Sequence, residues 1–127
     1  MKELAAKISS SELEVLEGLW RSQEPMPISA IRAALEDTHS WDASTVKTLL
    51  RRLREKGAVA CEKRDVFCYW PLLSRQEYRR WSTLSFLQRV YQGSVRDLVT
   101  ELVVCCPLSQ EDRNALRGIL YPQEGHG

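Results

Sequence analysis

The segment Trp41–Gly57, WDASTVKTLLRRLREKG, constrains the chain more than any other, because a single periodicity fixes both its shape and its two faces. Val46, Leu49, Leu50 and Leu53 recur at i, i+3, i+4 and i+7, which is one apolar stripe along an α-helix. Asp42 is placed to accept the first free backbone N–H groups, and Gly57 to take the left-handed conformation that stops a helix. With each residue advancing about 100° around the axis, the opposite face carries Ser44, Thr48, Arg51 and Glu55. Lys47, Arg52, Arg54 and Lys56 lie on the flanks, so the basic side chains point away from the core that the stripe must meet.

That basic face is a local feature, since the 127 residues carry a formal net charge of only +1. Between Ala43 and Arg64 seven basic residues (Lys47, Arg51, Arg52, Arg54, Lys56, Lys63, Arg64) face two acids, Glu55 and Glu62, a local excess of five. Acids gather upstream at Glu12, Glu14, Glu17, Glu36 and Asp37. A molecule polarised in this way suits an oriented anionic partner. Hydrophobic residues at 43% and charged ones at 28% are the balance of a globular chain, which excludes a disordered one. No run approaches the roughly 18 apolar residues of a membrane span, and MKELAAKISSSELEV has no signal-peptide core. The expected location is the cytoplasm, with no membrane partner, where Cys61, Cys68, Cys105 and Cys106 stay reduced.

Elsewhere, short signals divide the chain into elements. Ser9 and Glu12 form a capping box, with Ile8 and Leu13 as its hydrophobic staple, ahead of a first helix whose Leu13, Leu16 and Trp20 share a face. SQEPMP breaks that helix, and Ile28, Ile31 and Leu35 mark a short second one. After the basic helix, AVACEKRDVFCYWPL reads as two strands around the polar turn Lys63-Arg64-Asp65. Three helices and a hairpin, with the third helix amphipathic and basic, describe a winged helix-turn-helix over residues 1–73. Capping signals at Ser74/Glu77, Ser94/Asp97 and Ser109/Asp112 predict three further helices over residues 74–127, ending in a frayed PQEGHG tail. So short a region cannot enclose Trp81, Leu84, Leu87, Leu98, Leu102, Val103, Leu116 and Leu120 in a private core. The expected fold is therefore mainly α with a small β-hairpin, a winged helix-turn-helix followed by a C-terminal helical dimerisation region.

Five stretches together resemble one family: SSELEVLEGLW at 10–20, WDASTVKTLLRRLREKGAV at 41–59, YWPLLS at the exit of the hairpin, GSVRDLV, and LSQEDRNALRGIL. The chain is similar over almost its whole length to the penicillinase-repressor family, which includes β-lactamase, methicillin-resistance and copper-responsive repressors. The resemblance implies a sequence-specific DNA-binding transcriptional repressor, a homodimer whose winged helices read an inverted-repeat operator in double-stranded DNA. It places recognition on Ser44, Thr45, Lys47, Thr48 and Arg51, and the wing contacts on Lys63 and Arg64; Arg52 joins them from the basic flank. Physical chemistry agrees, because short hydroxyls near a helix N-terminus let phosphates approach, and Lys47 and Arg51 are long enough to reach guanine edges. Three departures stand out. Asp42-Ala43 replaces the family's Ser-Pro, bringing a negative charge toward DNA. Glu101-Leu102 stands where β-lactam-responsive members carry the Asn-Phe bond at which they are cleaved. The C-x-C metal cluster of the copper-responsive members has no counterpart here.

Two other readings stay open beside this one. The winged helix could bind a protein instead of DNA, or the protein could read DNA and also sense thiol oxidants or metal directly. With a two-residue Arg64-Asp65 loop, Cys61 and Cys68 would sit directly opposite across the hairpin. Adjacent Cys105 and Cys106 diverge by about 100° on a helix and chelate one ion poorly. His39 in a turn and His126 in the tail have no ligand spacing to Cys, Asp or Glu. No metal site or cofactor is expected. Neither is enzyme activity, in the absence of H-E-x-x-H, a phosphate-binding glycine loop or a Ser-His-Asp order. The sequence names no operator, and leaves open whether a sensor protein or an effector relieves repression.

Overall fold

The computed structural model describes residues 7–123. The frayed end expected at PQEGHG falls mostly on residues 124–127, and it lies with His126 outside the described residues. The order is α1 (Ser10–Trp20), β1 (Met26–Pro27), α2 (Ile28–Leu35), α3 (Ala43–Glu55), β2 (Val59–Lys63), β3 (Phe67–Pro71), α4 (Arg75–Tyr91), α5 (Val95–Cys105) and α6 (Gln110–Leu120). The architecture is mainly helical with one antiparallel sheet, a winged helix-turn-helix followed by helices. Its described residues form two compact units, one ending at Phe86 and one beginning at Leu87.

In the first unit, α1 and α3 are anchored at their starts by residues the sequence offers, whereas α2 begins after Pro27 without a side-chain cap. The Ser9 hydroxyl accepts from the Glu12 N–H (3.2 Å) while the Glu12 carboxylate accepts from the Ser9 N–H (2.8 Å), which closes the capping box of α1. Asp42 caps α3 through the Thr45 N–H at 2.8 Å. At the other end of α3, Gly57 adopts φ +80°, a backbone that a Cβ would strain, and lets Ala58 donate to the Leu53 carbonyl at 2.9 Å. The core is the stripe Val46, Leu49, Leu50 and Leu53 packed among Val15, Leu16, Leu19, Ile31 and Leu35, closed by Ala58, Val59, Tyr69 and Leu73. Burying each Leu or Val of that stripe contributes about 1.5–3 kcal/mol.

Two features of the sheet differ from expectation. SQEPMP is more than a helix break: Met26 pairs with Tyr69 and Pro27 with Cys68, so β3 is central in the order β1-β3-β2. A two-residue edge strand has no periodicity to read, and the edge tolerates Pro27 because the missing N–H leaves no central ladder broken. The hairpin loop is also one residue longer than the Arg64-Asp65 loop, because Lys63 pairs with Phe67 across Arg64, Asp65 and Val66. Cys61 then faces Tyr69 and Cys68 faces Glu62. A one-residue shift of register moves a side chain to the other face of a sheet, so the two cysteines lie on opposite faces and are not partners. The four cysteines are free.

Lys56 departs from the outward basic face as well. Its ammonium turns inward to the carboxylate of Glu12, which is 1% exposed, and also donates to the Lys7 carbonyl at 2.7 Å. Burial alone would raise the Glu12 carboxyl, yet the hydrogen bonds from Lys56 and Ser9 prevail and hold it below the ordinary glutamate value. The start of α4 is tied to α1 in the same unit. Trp20 donates its indole N–H to the Leu73 carbonyl (2.9 Å), Arg75 pairs with Glu17 (3.0 Å) and lies over the Trp20 ring, and Tyr78 packs against Trp20.

In the second unit, α5 and α6 begin where the capping signals predict, on Ser94 and on the Ser109/Asp112 box. Neither helix contains a buried residue. Among the described residues, no helix is long and apolar enough to cross a membrane.

Candidate nucleic-acid interface

The outward face of α3 and the adjacent face of the hairpin form one cleft, lined by Ser44, Lys47, Thr48, Arg51, Arg54 and Tyr69. Four of the expected recognition residues therefore meet in one place. The α-helix brings them there because Ser44, Lys47, Thr48 and Arg51 follow i, i+3, i+4 and i+7, the same spacing as the core stripe on the other side. Arg54 and Tyr69 were not expected. Arg54 continues the row three residues beyond Arg51 and was legible from periodicity, whereas Tyr69 reaches the cleft only through the hairpin register. Burial keeps the Tyr69 phenol protonated to higher pH than usual, leaving its hydroxyl a donor.

The other expected residues lie differently. Thr45 is half-buried, and its N–H is taken by Asp42. Arg52 is exposed but does not line the cleft. Lys63 and Arg64 are exposed at the end of the hairpin, where Arg64 lies 4.0 Å from Glu62 and lines a separate hollow with Ser22, Glu24 and Trp70.

Electrostatics at the helix start is set by Asp42. Its carboxyl is held below the ordinary aspartate value by the Thr45 backbone N–H first, then by the Thr45 and Ser44 hydroxyls. The Ser44 hydroxyl donates to Asp42 at 3.0 Å, so it faces the cleft as an acceptor. Thr48 donates to the Ser44 carbonyl at 3.0 Å. Two of the cleft's three long cations are held loosely: Arg51 is paired with the exposed Glu55, 3.9 Å away and one turn on, and Lys47 is exposed. Such exposed pairs contribute little, roughly 0.3–0.5 kcal/mol, and yield readily to phosphate or a base edge.

The turn before α3 is braced from three sides. His39 stacks on Trp41 with centroids 4.1 Å apart, His39 Nε2 lies 3.8 Å from Glu14 of α1, and Arg32 of α2 donates to the Trp41 carbonyl at 3.1 Å.

Of the expected interface residues downstream, Trp81, Leu87 and Leu98 are half-buried. Leu102 and Val103 are each 50% exposed and Leu120 is 69% exposed, with Leu84 and Leu116 also open to solvent. The Cys105 thiol donates to Glu101 at 3.4 Å, and that hydrogen bond raises its pKa and so disfavours the reactive thiolate. Among the described residues, no group of three or more His, Cys, Asp or Glu side chains is placed to hold a metal ion.

The penicillinase repressor family pattern matches residues 8–121. The penicillinase repressor of Bacillus licheniformis is 34% identical over 115 residues, which span 90% of this chain and 89% of the relative. The methicillin resistance regulatory protein MecI of Mammaliicoccus sciuri is 30% identical over 115 residues, spanning 90% of this chain and 93% of the relative. A solution structure of Bacillus licheniformis BlaI, a monomeric form in complex with the blaP half-operator, is 33% identical, covers 57% of this chain and 88% of its own, and superposes with a TM-score of 0.49. On the family match and these relatives, the chain belongs to the penicillinase repressor family.

Proposed function

We propose that this protein is a sequence-specific DNA-binding transcriptional repressor, acting as a homodimer on a two-fold symmetric operator. The observation that carries the reading is the α3 cleft, where hydroxyls, Lys47, Arg51 and Arg54 share one outward face and an apolar stripe holds the opposite face in the core. A helix presented in this way fits the major groove, with Lys47 and Arg51 as the side chains that read base edges. Lys63 and Arg64 add phosphate contacts that orient the protein without reading sequence. Membership of a family of repressors supports the same conclusion.

The homodimer is supported by the second unit, whose Leu102, Val103, Ile119 and Leu120 are half to nearly three-quarters exposed. Apolar residues at helical spacing and left open to water are what a subunit interface covers. In this reading residues 1–73 contact DNA and residues 74–127 join two copies, so that each α3 enters one of two successive major grooves. Repression follows by occlusion of the promoter.

Selection from a random duplex pool tests the reading. A two-fold symmetric site with half-sites about one helical turn apart is the expected product. Binding that is blind to sequence, or insensitive to salt, would overturn it, because phosphate neutralisation makes log affinity fall steeply with log salt.

A further inference from the structure

Val66 and Phe67 are adjacent large apolar residues, 57% and 49% exposed, placed beside Lys63 and Arg64 at the end of the hairpin. Their position is defined by the register. Phe67 is paired directly with Lys63, and Tyr69 with Cys61. Directly opposed residues share a face of the sheet, and residues two apart along a strand do so too. Lys63, Phe67, Cys61 and Tyr69 are therefore on one face, and Tyr69 forms part of the cleft against Lys47, Arg51 and Arg54. Phe67 stands about 7 Å further out along β3, on the same face of the sheet as the cleft residue Tyr69.

We propose that Phe67 packs against deoxyribose, gripping the DNA strand that runs between α3 and the wing. This rests on the reading of the cleft as a DNA interface. A DNA strand alternates anionic phosphates with the apolar faces of its sugars, and the two walls of the cleft have the matching chemistry. Lys47, Arg51 and Arg54 provide cations on the helix side, and the wing provides Lys63, directly paired with the Phe67 ring, with Arg64 next to it along the hairpin. Charge complementarity brings the strand in, and Phe67 then covers a sugar between two phosphates, removing apolar surface of both from water.

The test compares full-length wild type, Phe67→Ala, Phe67→Leu and Lys63→Ala on a duplex carrying the selected operator, at several salt concentrations, with hydroxyl-radical footprinting of the sugars. Phe67→Ala is expected to weaken binding about tenfold, the scale of losing most of one aromatic packing contact. Its salt slope should equal that of wild type, because no phosphate contact is removed. A patch of protected sugars beside each half-site should reopen in Phe67→Ala and stay mostly protected in Phe67→Leu. Lys63→Ala should instead lower the salt slope by about one. Wild-type affinity and footprint in Phe67→Ala, or a changed salt slope, would overturn the role of Phe67 while leaving the DNA reading intact. If wild type itself bound no DNA, the reading of the cleft would fail and this inference with it.

Discussion

The winged helix and the helices after it are built from similar side chains, yet they treat them oppositely. In the first unit Val46, Leu49, Leu50 and Leu53 are buried to 5% exposure or less, and the polar side of the same helix is free for a partner. In the second, α5 and α6 have capping as good as that of α3 but bury none of their residues. Capping and propensity thus form a helix without giving it an inside. α3 has its stripe covered within one chain, and under the proposed homodimer the open apolar residues of α5 and α6 are what a second copy would cover.

Four substitutions test that contrast, beginning with the largest effect. Leu50→Ala should cost about 2–5 kcal/mol of stability and abolish operator binding together with folding, as read by denaturant unfolding. A loss below 1 kcal/mol would mean that the stripe is not the core. Leu102→Asp should leave the winged helix folded, shift sedimentation from dimer to monomer, and weaken operator affinity by about a hundredfold through lost avidity. If the variant stayed a dimer, the open face of α5 would have another purpose. Arg51→Ala should touch neither fold nor assembly, weaken binding by about 1–3 kcal/mol and relax preference at one position of each half-site. Unchanged specificity would make Arg51 a phosphate contact only.

The smallest effect concerns Glu12. Its folded-state pKa is lowered, so the stabilisation it gives is present above the unfolded value and is lost as pH falls through the folded one. Glu12→Gln should cost about 1 kcal/mol near neutral pH and flatten the fall in stability on the acid side. Thermal melts between pH 3 and pH 7 with the same slope as wild type would show that the pair with Lys56 contributes nothing.

Much of this was legible in the sequence, for identifiable reasons. The capping boxes at Ser9 and Ser109, the Asp42 cap and the α3 stripe are local patterns, and local patterns survive folding unless packing overrides them. The cleft was half legible: Ser44, Lys47, Thr48 and Arg51 follow from helix geometry alone, and Arg54 was available by the same arithmetic. Tyr69, the short β1 strand and the separation of Cys61 from Cys68 depend on which residues pair across strands, and a hairpin loop of two or three residues is not distinguished by composition. In the sequence Lys56 is a surface residue like its neighbours, because a long side chain next to Gly57 shows no sign of its partner, Glu12, 44 residues earlier in the chain.

That partnership limits how the helix can be rebuilt. Four aliphatic residues key α3 along its length, and at its end a buried carboxylate would be stranded if the helix turned by one residue. The axial rotation of α3 is therefore set by positions that never reach the cleft. Ser44, Lys47, Thr48 and Arg51 behave like type set in a fixed frame: the letters can be exchanged to spell a different operator while the frame keeps each one facing the page.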